Sequence, residues 1–157
     1  MLPENFLSDR SPLRGDDAVA AIITVEDGRY LMQLRDDIPR IFYPGHWGCF
    51  GGAVGPGEAS ADALARELGE ELEMTMPAAA EFLRLDFDLT RLGQKRIFRI
   101  YYEVPLTAAE VNQLTLHEGV DMRLFSASEL LAQPHVTPYD SFAVWLHTAR
   151  NRLNQSA

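Results

Sequence analysis

Two early segments of the chain carry the apolar runs that are typical of β-strands. These are Ala18–Val25 and Arg29–Arg35, and the polar triplet Glu26-Asp27-Gly28 separates them. Asp-Gly between two apolar runs favours a tight turn, because glycine accepts the positive φ that such a turn requires. The pattern predicts a β-hairpin at the start of the domain, and a short buried strand follows at "WGCF".

The next segment has a helical period. A helix is predicted from Ser60, acting as N-cap, to about Leu72, because apolar residues recur there at spacings of three and four. The expected core-facing residues are Ala61, Leu64, Ala65, Leu68 and Leu72.

The second half of the chain predicts another hairpin, a last strand and two helices. Glu81–Leu89 and Arg96–Val104 alternate apolar and polar residues or are rich in aromatic and β-branched ones, and Met122–Ser126 follows as a strand. "ASELLAQ" reads as a short helix, and Thr137-Pro138 as the N-cap and first residue of a terminal helix. Its predicted core face consists of Phe142, Trp145, Leu146, Ala149 and Leu153.

Length, composition and charge limit the class of protein. The 157 residues, 46% of them hydrophobic, suit a single domain over residues 1–157, with residues 1–15 as a flexible lead-in. The net charge of -9 disfavours binding to duplex nucleic acid or to an anionic membrane. The lone Cys49 and the absence of a signal peptide or transmembrane run predict a cytoplasmic protein with a buried thiol.

A glycine-rich loop and an acidic helix stand next to each other in the sequence. "GGAVGPGE" leads into the predicted helix, on which Glu67, Glu70 and Glu71 share one face because they are spaced by three and four residues. Hard carboxylate oxygens of this kind suit Mg²⁺ or Mn²⁺. The alternative is a solvated acidic surface that Arg66 partly neutralises.

This segment resembles the signature of the Nudix hydrolase family, G-x5-E-x7-R-E-U-x-E-E-x-G-U, in which U is a bulky apolar residue. The matching residues are Gly52, Glu58, Arg66, Glu67, Leu68, Glu70, Glu71 and Met74. Glu73 stands where the signature has glycine, so the helix either ends in a strained left-handed cap or continues toward Pro77. The resemblance implies an α/β fold, an α/β/α sandwich around a mixed β-sheet.

The resemblance also implies roles for individual residues. Glu67, Glu70, Glu71 and the carbonyl of Gly51 are expected to bind the divalent cation. Arg66 would orient these carboxylates, and Glu58 would brace the loop against the helix. Glu118, from a later loop, is the candidate general base, with a solvated loop acid as the equal alternative.

Two further residues are candidates for substrate binding. Arg35 could contact a phosphate, although a surface charge is an equal reading. Gly52 allows the backbone to approach a ligand closely.

The predicted function is divalent-metal-dependent hydrolysis of the diphosphate linkage in a nucleoside diphosphate that is joined to another group, by attack of water at phosphorus. Nucleotide sugars and nucleoside triphosphates are both open, with nucleotide sugars preferred. One alternative is a non-catalytic nucleotide-binding or regulatory module, and another is an acidic protein-interaction domain. Homodimers are common among proteins that the chain resembles, and the sequence identifies no interface.

Overall fold

The computed structural model describes residues 12–76 and 78–153, so most of the predicted lead-in lies outside the described residues. In these residues three strands precede the first helix, and two helices follow the last strand. The strands are β1 (Ala18–Thr24), β2 (Tyr30–Leu34), β3 (Trp47–Gly48), β4 (Ala80–Asp88), β5 (Arg96–Pro105) and β6 (Asp121–Phe125). The helices are α1 (Ser60–Leu72), α2 (Ala108–Val111), α3 (Ala127–Ala132) and α4 (Pro138–Leu153).

The strands form one six-stranded mixed sheet, in the order β3-β2-β1-β5-β4, with β6 also paired to β2. β1 and β5 run parallel, whereas the pairs β1–β2, β2–β6 and β4–β5 are antiparallel. The segment that follows β3 continues beside β1, where Ala53 pairs with Ala18 and Phe50 pairs with Ala21. The glycine-rich loop therefore lies beside the N-terminal end of β1.

Each face of the sheet carries its own core. Val19, Ala21 and Ile23 of β1 pack with Leu64 and Leu68 of α1, while the intervening Ala20 and Ile22 pack with Ala143 and Val144 of α4. This alternation follows from the two-residue period of a strand. The fold is the predicted α/β sandwich around a mixed sheet, and all six predicted strands are present within one residue or two of their expected bounds.

Three local predictions need correction. Ala59, not Ser60, is the N-cap of α1, and no side chain caps that end. Ala61 is exposed, and Ala63 takes its place in the core. The short helix α2, which Thr107 and Glu110 close with a reciprocal capping box, was not predicted.

The predicted core face of α4 is wrong at three of its five positions, whereas Leu146 and Ala149 are half-buried. Phe142, Trp145 and Leu153 are 46%, 48% and 55% exposed. The residues that face the sheet are Asp140, Ala143, Val144 and His147. The inward stripe thus contains two polar residues, whose partners on the sheet make their burial favourable.

No helix among the described residues is both long and apolar enough to cross a membrane.

Candidate active site

Two adjacent glycines bring the backbone close to β1 and α1. Val19 N donates to Gly52 O at 2.9 Å. Gly51 has a φ of +130°, and a Cβ atom there would lie 2.2 Å from the carbonyl oxygen of Val19. A Cβ atom on Gly52 would lie 2.5 Å from the carboxyl carbon of Glu67. Only glycine therefore fits at position 51, whereas a side chain at position 52 would displace the carboxylate of Glu67. The loop backbone lies directly against the acidic helix.

Arg66 joins the loop to the helix. Its Nε and Nη2 donate to the two carboxylate oxygens of Glu58 at 3.0 and 3.1 Å, and Nη1 donates to Glu67 at 2.7 Å. Nη2 also donates to the carbonyl of Ala53 at 2.9 Å. Glu58 in turn accepts from Gly55 N at 2.7 Å. These contacts fix the glycine-rich loop to α1.

Glu71 has no cationic hydrogen-bond partner among the residues that the structure describes. It is only 2% exposed. Its oxygens accept from Gly51 N at 2.9 Å and from the Gln33 side chain at 3.3 Å, both of which are neutral donors. Burial raises the pKa of Glu71 to about 8, and the charges of Glu118 and Glu67 add to the rise. Ionisation of this buried carboxyl group is therefore unfavourable, because its hydrogen-bond donors are neutral.

The loop that carries Glu118 is attached to the C-terminal end of α1. His117 N donates to the carbonyl of Glu71 at 2.8 Å, and Gln33 Nε2 donates to the carbonyl of Glu118 at 2.8 Å. Glu67, Glu71 and Glu118 line one open cleft with a volume of about 650 Å³. The structure therefore brings Glu118 to the acidic helix, as the sequence prediction required of a candidate base.

Glu70 points elsewhere. Its side chain is 62% exposed, and its nearest charged partner is Arg66 Nη1 at 3.5 Å. It belongs to the same cluster of charges as Glu67 but does not line the cleft.

Glu73 ends α1 in the left-handed conformation, with a φ of 53°. Glu73 N and Met74 N donate to the carbonyls of Gly69 and Leu68. The bond from Glu73 N to Gly69 O is that of the αL C-cap motif, in which glycine is the usual left-handed residue. Of the two sequence alternatives, the strained cap is the one observed. The Glu73 carboxylate meets His117 Nε2 at 2.6 Å.

The family model for the NUDIX domain matches residues 15–146. The chain belongs to the Nudix family.

Three relatives illustrate this membership. A 47-residue segment is 51% identical to a nucleoside triphosphatase of Escherichia fergusonii, covering 29% of this chain and 32% of that protein. The MutT protein of Methanosarcina mazei superposes with a TM-score of 0.72 at 24% identity, over 89% of this chain and 97% of that one. The dihydroneopterin triphosphate pyrophosphohydrolase of Escherichia coli gives 0.67 at 19% identity, over 88% and 98%. The two structures establish the shared fold.

Proteins of the Nudix family typically are pyrophosphohydrolases. Nudix enzymes generally use divalent metal cations. Among the described residues, however, no three His, Cys, Asp or Glu side chains are already arranged to hold a metal ion. Arg66 Nη1 lies 2.7 Å from a carboxylate oxygen of Glu67 and 3.5 Å from one of Glu70.

The donor chemistry nevertheless fits a hard divalent cation. Glu67 and Glu71 supply carboxylate oxygens at one cleft. Burial is the main cause that raises the pKa of Glu71, and repulsion by the charges of Glu118 and Glu67 adds to the rise. A cation would offset this repulsion.

Of the other candidate residues, some line the cleft and others are buried in the core. Arg35 lines the cleft, and its Nε donates to the carbonyl of Phe42 at 3.1 Å. Of the aromatic residues near the Nudix motif, Tyr43 lines the cleft, whereas Phe50 is fully buried. Cys49 is buried, as predicted.

Sequence reasoning missed three cleft residues that come from distant elements: Gln33, Arg99 and Tyr139. For Gln33 a signal existed, since it is a polar residue within the apolar run of β2 and is 4% exposed. Arg99 and Tyr139 carry no such signal, because only the packing of α4 on the sheet brings them together.

Proposed function

We propose that this protein is a Mg²⁺-dependent hydrolase that cleaves a phosphoanhydride bond of a nucleoside triphosphate or of a related nucleoside diphosphate derivative. The observation that carries the proposal is the buried carboxyl group of Glu71, which faces a cleft together with Glu67 and Glu118 and has only neutral hydrogen-bond partners. Without a cation the negative charge of such a buried carboxylate is unfavourable, and a bound divalent cation would neutralise it. Mn²⁺ has similar ligand preferences and is the expected substitute.

In the proposed mechanism Glu67, Glu70 and Glu71, with the carbonyl of Gly51, hold the cation. When bound, a divalent cation lowers the pKa of water and neutralises charge on the phosphate oxygens. Glu118, which lines the same cleft, accepts the proton of the attacking water. Arg66, released from Glu67, keeps the loop in place through Glu58 and Ala53.

Cationic side chains of the cleft bind the substrate phosphates in this proposal. Arg14, Arg35 and Arg40 all line the cleft that the acidic residues face. An arginine fork pairs well with phosphate oxygens. Gly52 allows the polyphosphate to approach the backbone because it has no side chain.

Triphosphates are the preferred substrates in this proposal, in place of nucleotide sugars. The support is the 51% identity to a nucleoside triphosphatase, although that match spans only 32% of the relative. We place the activity in the cytoplasm, because the unpaired thiol of Cys49 suits a reducing compartment.

The experiment is an assay of product release from nucleoside triphosphates, sugar nucleotides, ADP-ribose and dinucleoside polyphosphates, each with Mg²⁺, with Mn²⁺ and with chelator. Glu70→Gln removes one proposed ligand, and we expect it to lower kcat/KM by about 100-fold or more while the protein stays folded. Asp62→Asn is the matched control, since Asp62 is an exposed acidic residue in the first turn of the same helix.

The outcomes separate the competing functions. Metal-dependent turnover that Glu70→Gln abolishes and Asp62→Asn retains supports the proposal. Full activity of Glu70→Gln removes Glu70 from the metal site. Nucleotide binding without turnover of any substrate would favour the non-catalytic binding module instead.

A further inference from the structure

Arg99 is a nearly buried cation that reaches the cleft from strand β5. Its side chain is 15% exposed, and the residue lines the cleft. Nε donates to Tyr101 Oη at 3.0 Å, and Nη2 donates to Asp140 Oδ1 at 3.1 Å. The guanidinium also lies 4.7 Å from the ring centre of Tyr139. Its position is therefore fixed from three sides.

One nitrogen of this guanidinium, Nη1, has no hydrogen-bond partner within the described residues 12–76 and 78–153. In the same residues, every fully buried side-chain nitrogen or oxygen has a hydrogen-bond partner. Nη1 is therefore not fully buried, and its two N–H groups are available to a ligand.

The charge of Arg99 is already balanced. Asp140 is 0% exposed and lies in direct contact with the guanidinium. A phosphate at Nη1 would place a second anion beside this pair, whereas Arg14, Arg35 and Arg40 offer unburied cations at the same cleft. Nη1 is thus better suited to a neutral acceptor such as a carbonyl oxygen.

The position of Arg99 fits the nucleoside end of a substrate. Arg99 pairs with Ala18 across β5 and β1, and Ala18 pairs with Ala53, which adjoins Gly52. Two strand spacings place the Cα of Arg99 about 9 to 10 Å from that of Ala53. This span leaves room for a sugar and part of a polyphosphate between the acidic helix and Arg99.

Aromatic residues surround this end of the cleft. Phe42, Tyr43 and Tyr139 line it, and the rings of Tyr43 and Tyr139 meet edge to face with their centres 5.8 Å apart. Flat aromatic walls favour a planar ligand such as a nucleobase.

We infer that Nη1 of Arg99 donates a hydrogen bond to the carbonyl oxygen of a nucleobase, and that the cleft consequently favours keto bases over amino bases. Guanine carries an oxygen at position 6, and thymine or uracil carries one at position 4. Adenine and cytosine carry an amino group there, which is itself a donor. Arginine has no acceptor atom, so an amino group at this point leaves two donors facing each other.

This inference rests on the proposed nucleotide substrate. Its first test needs no variant: kcat/KM is compared for GTP and UTP against ATP and CTP with Mg²⁺. We expect the two keto nucleotides to exceed the two amino nucleotides by about ten-fold. Equal values for the four nucleotides would overturn the inference and leave the proposed hydrolase intact.

The second test uses Arg99→Lys. Lysine keeps a positive charge beside Asp140 but lacks the planar fork that carries Nη1. We expect kcat/KM to fall about ten-fold for GTP and UTP and to stay within about two-fold for ATP and CTP. A fall of the same size for all four nucleotides would assign Arg99 to phosphate binding or to structure alone. Arg123→Lys is the matched control, because Arg123 also lies over an aromatic ring, that of Phe125, but outside the cleft.

Equilibrium binding separates this inference from the proposed function. Calorimetry with non-hydrolysable analogues of the four triphosphates measures base preference without turnover. A keto preference in binding, without hydrolysis of the natural nucleotides, would support the role of Arg99 and reject the hydrolase. Absence of both binding and turnover would reject both proposals.

Discussion

Buried polar groups on the two faces of the sheet are paired in different ways. On the α4 face, Asp140 accepts hydrogen bonds from four donors, one of them a cation. The donors are Arg99 Nη2 at 3.1 Å, Tyr101 Oη at 2.8 Å, Thr137 Oγ1 at 2.6 Å and Cys49 N at 2.9 Å. On the α1 face, the buried Glu71 has the neutral donors Gly51 N and Gln33 Nε2.

The titration of the two sites differs accordingly. Burial alone would lower the pKa of Arg99, but the carboxylate of Asp140 reverses this and raises it. The pKa of Glu71 is raised to about 8, mainly by burial and in addition by the nearby carboxylates of Glu118 and Glu67. On the α4 face the buried charge of Asp140 is thus paired with Arg99. On the α1 face the ionised form of Glu71 has neutral donors as its partners among the described residues. We interpret the unpaired charge as the part of the site that an external cation completes.

The comparison predicts that removing the paired charge costs the most stability. Asp140→Asn would leave the guanidinium of Arg99 buried without its counter-charge, and we expect a loss of about 3 to 5 kcal/mol in the free energy of unfolding. Denaturant titration measures it. Asp86→Asn is the control, because Asp86 forms an exposed pair with Arg84 and should cost under about 1 kcal/mol. Similar losses in the two variants would mean that the Asp140 network contributes no more than a surface pair.

For Glu71 we expect the opposite effect, because substitution of this carboxyl group should increase the stability at high pH. Glu71→Gln should lower kcat/KM by about 100-fold, because a proposed cation ligand is lost. Without metal, however, the variant should be more stable than the wild type at pH 9. The pKa of Glu71 is about 8 in the folded protein and 4.5 as a free group, so the folded state loses stability as the pH rises from 4.5 through 8.

Thermal unfolding in chelator across this pH range measures that effect. Glutamine cannot ionise, so the variant should lack the loss of stability at high pH. Glu81→Gln, at an exposed position on β4, is the control and should follow the wild type. A Glu71→Gln protein that is less stable than the wild type at pH 9 would show that the carboxylate is compensated after all.

The sequence predicted the α1 face far better than the α4 face. Glu58, Arg66 and Glu67 come from one continuous segment, and local spacing is enough to bring them together. The stripe of α4 that faces the sheet contains Asp140 and His147, and no apolar pattern reveals a buried polar residue. Their partners Arg99 and Glu103 lie about forty positions away, so their pairing depends on the tertiary fold.

A smaller effect is predicted where the chain departs from the family motif. Glu73 has a φ of 53°, a conformation that costs a residue with a Cβ atom about 1 kcal/mol relative to glycine. The contact of Glu73 with His117 stabilises the protein by less than this cost, because both side chains are exposed. Glu73→Gly should therefore raise the stability by up to about 1 kcal/mol.

A double-mutant cycle separates the two contributions. In a His117→Ala background the carboxylate of Glu73 has lost its partner, so Glu73→Gly should stabilise the protein more than it does in the wild type. Calorimetric melting of the four proteins measures the difference. Destabilisation by Glu73→Gly in both backgrounds would show that the cap is not strained.

The smallest effect concerns the pH dependence of the α4 face. His147 is 9% exposed, and its Nδ1 and Nε2 lie 2.8 Å from Tyr30 Oη and 2.7 Å from Glu103 Oε1. Burial lowers its pKa below 6.5, and the bond to Glu103 opposes this only in part. The unfolded chain therefore takes up the proton first, and stability is complete above pH 6.5 and falls as the pH decreases below it.

Replacement by glutamine removes this titration. The free energy of unfolding of His147→Gln should consequently fall less than that of the wild type between about pH 7 and pH 5. Glu103, whose pKa is lowered from 4.5, changes its contribution only at lower pH. Glu71 acts in the opposite direction over this range but is present in both proteins, so the difference between their slopes isolates His147. His135→Gln, at an exposed histidine, should keep the wild-type slope. Parallel slopes for wild type and His147→Gln would mean that the α4 face accommodates a charged imidazole as readily as the unfolded chain does.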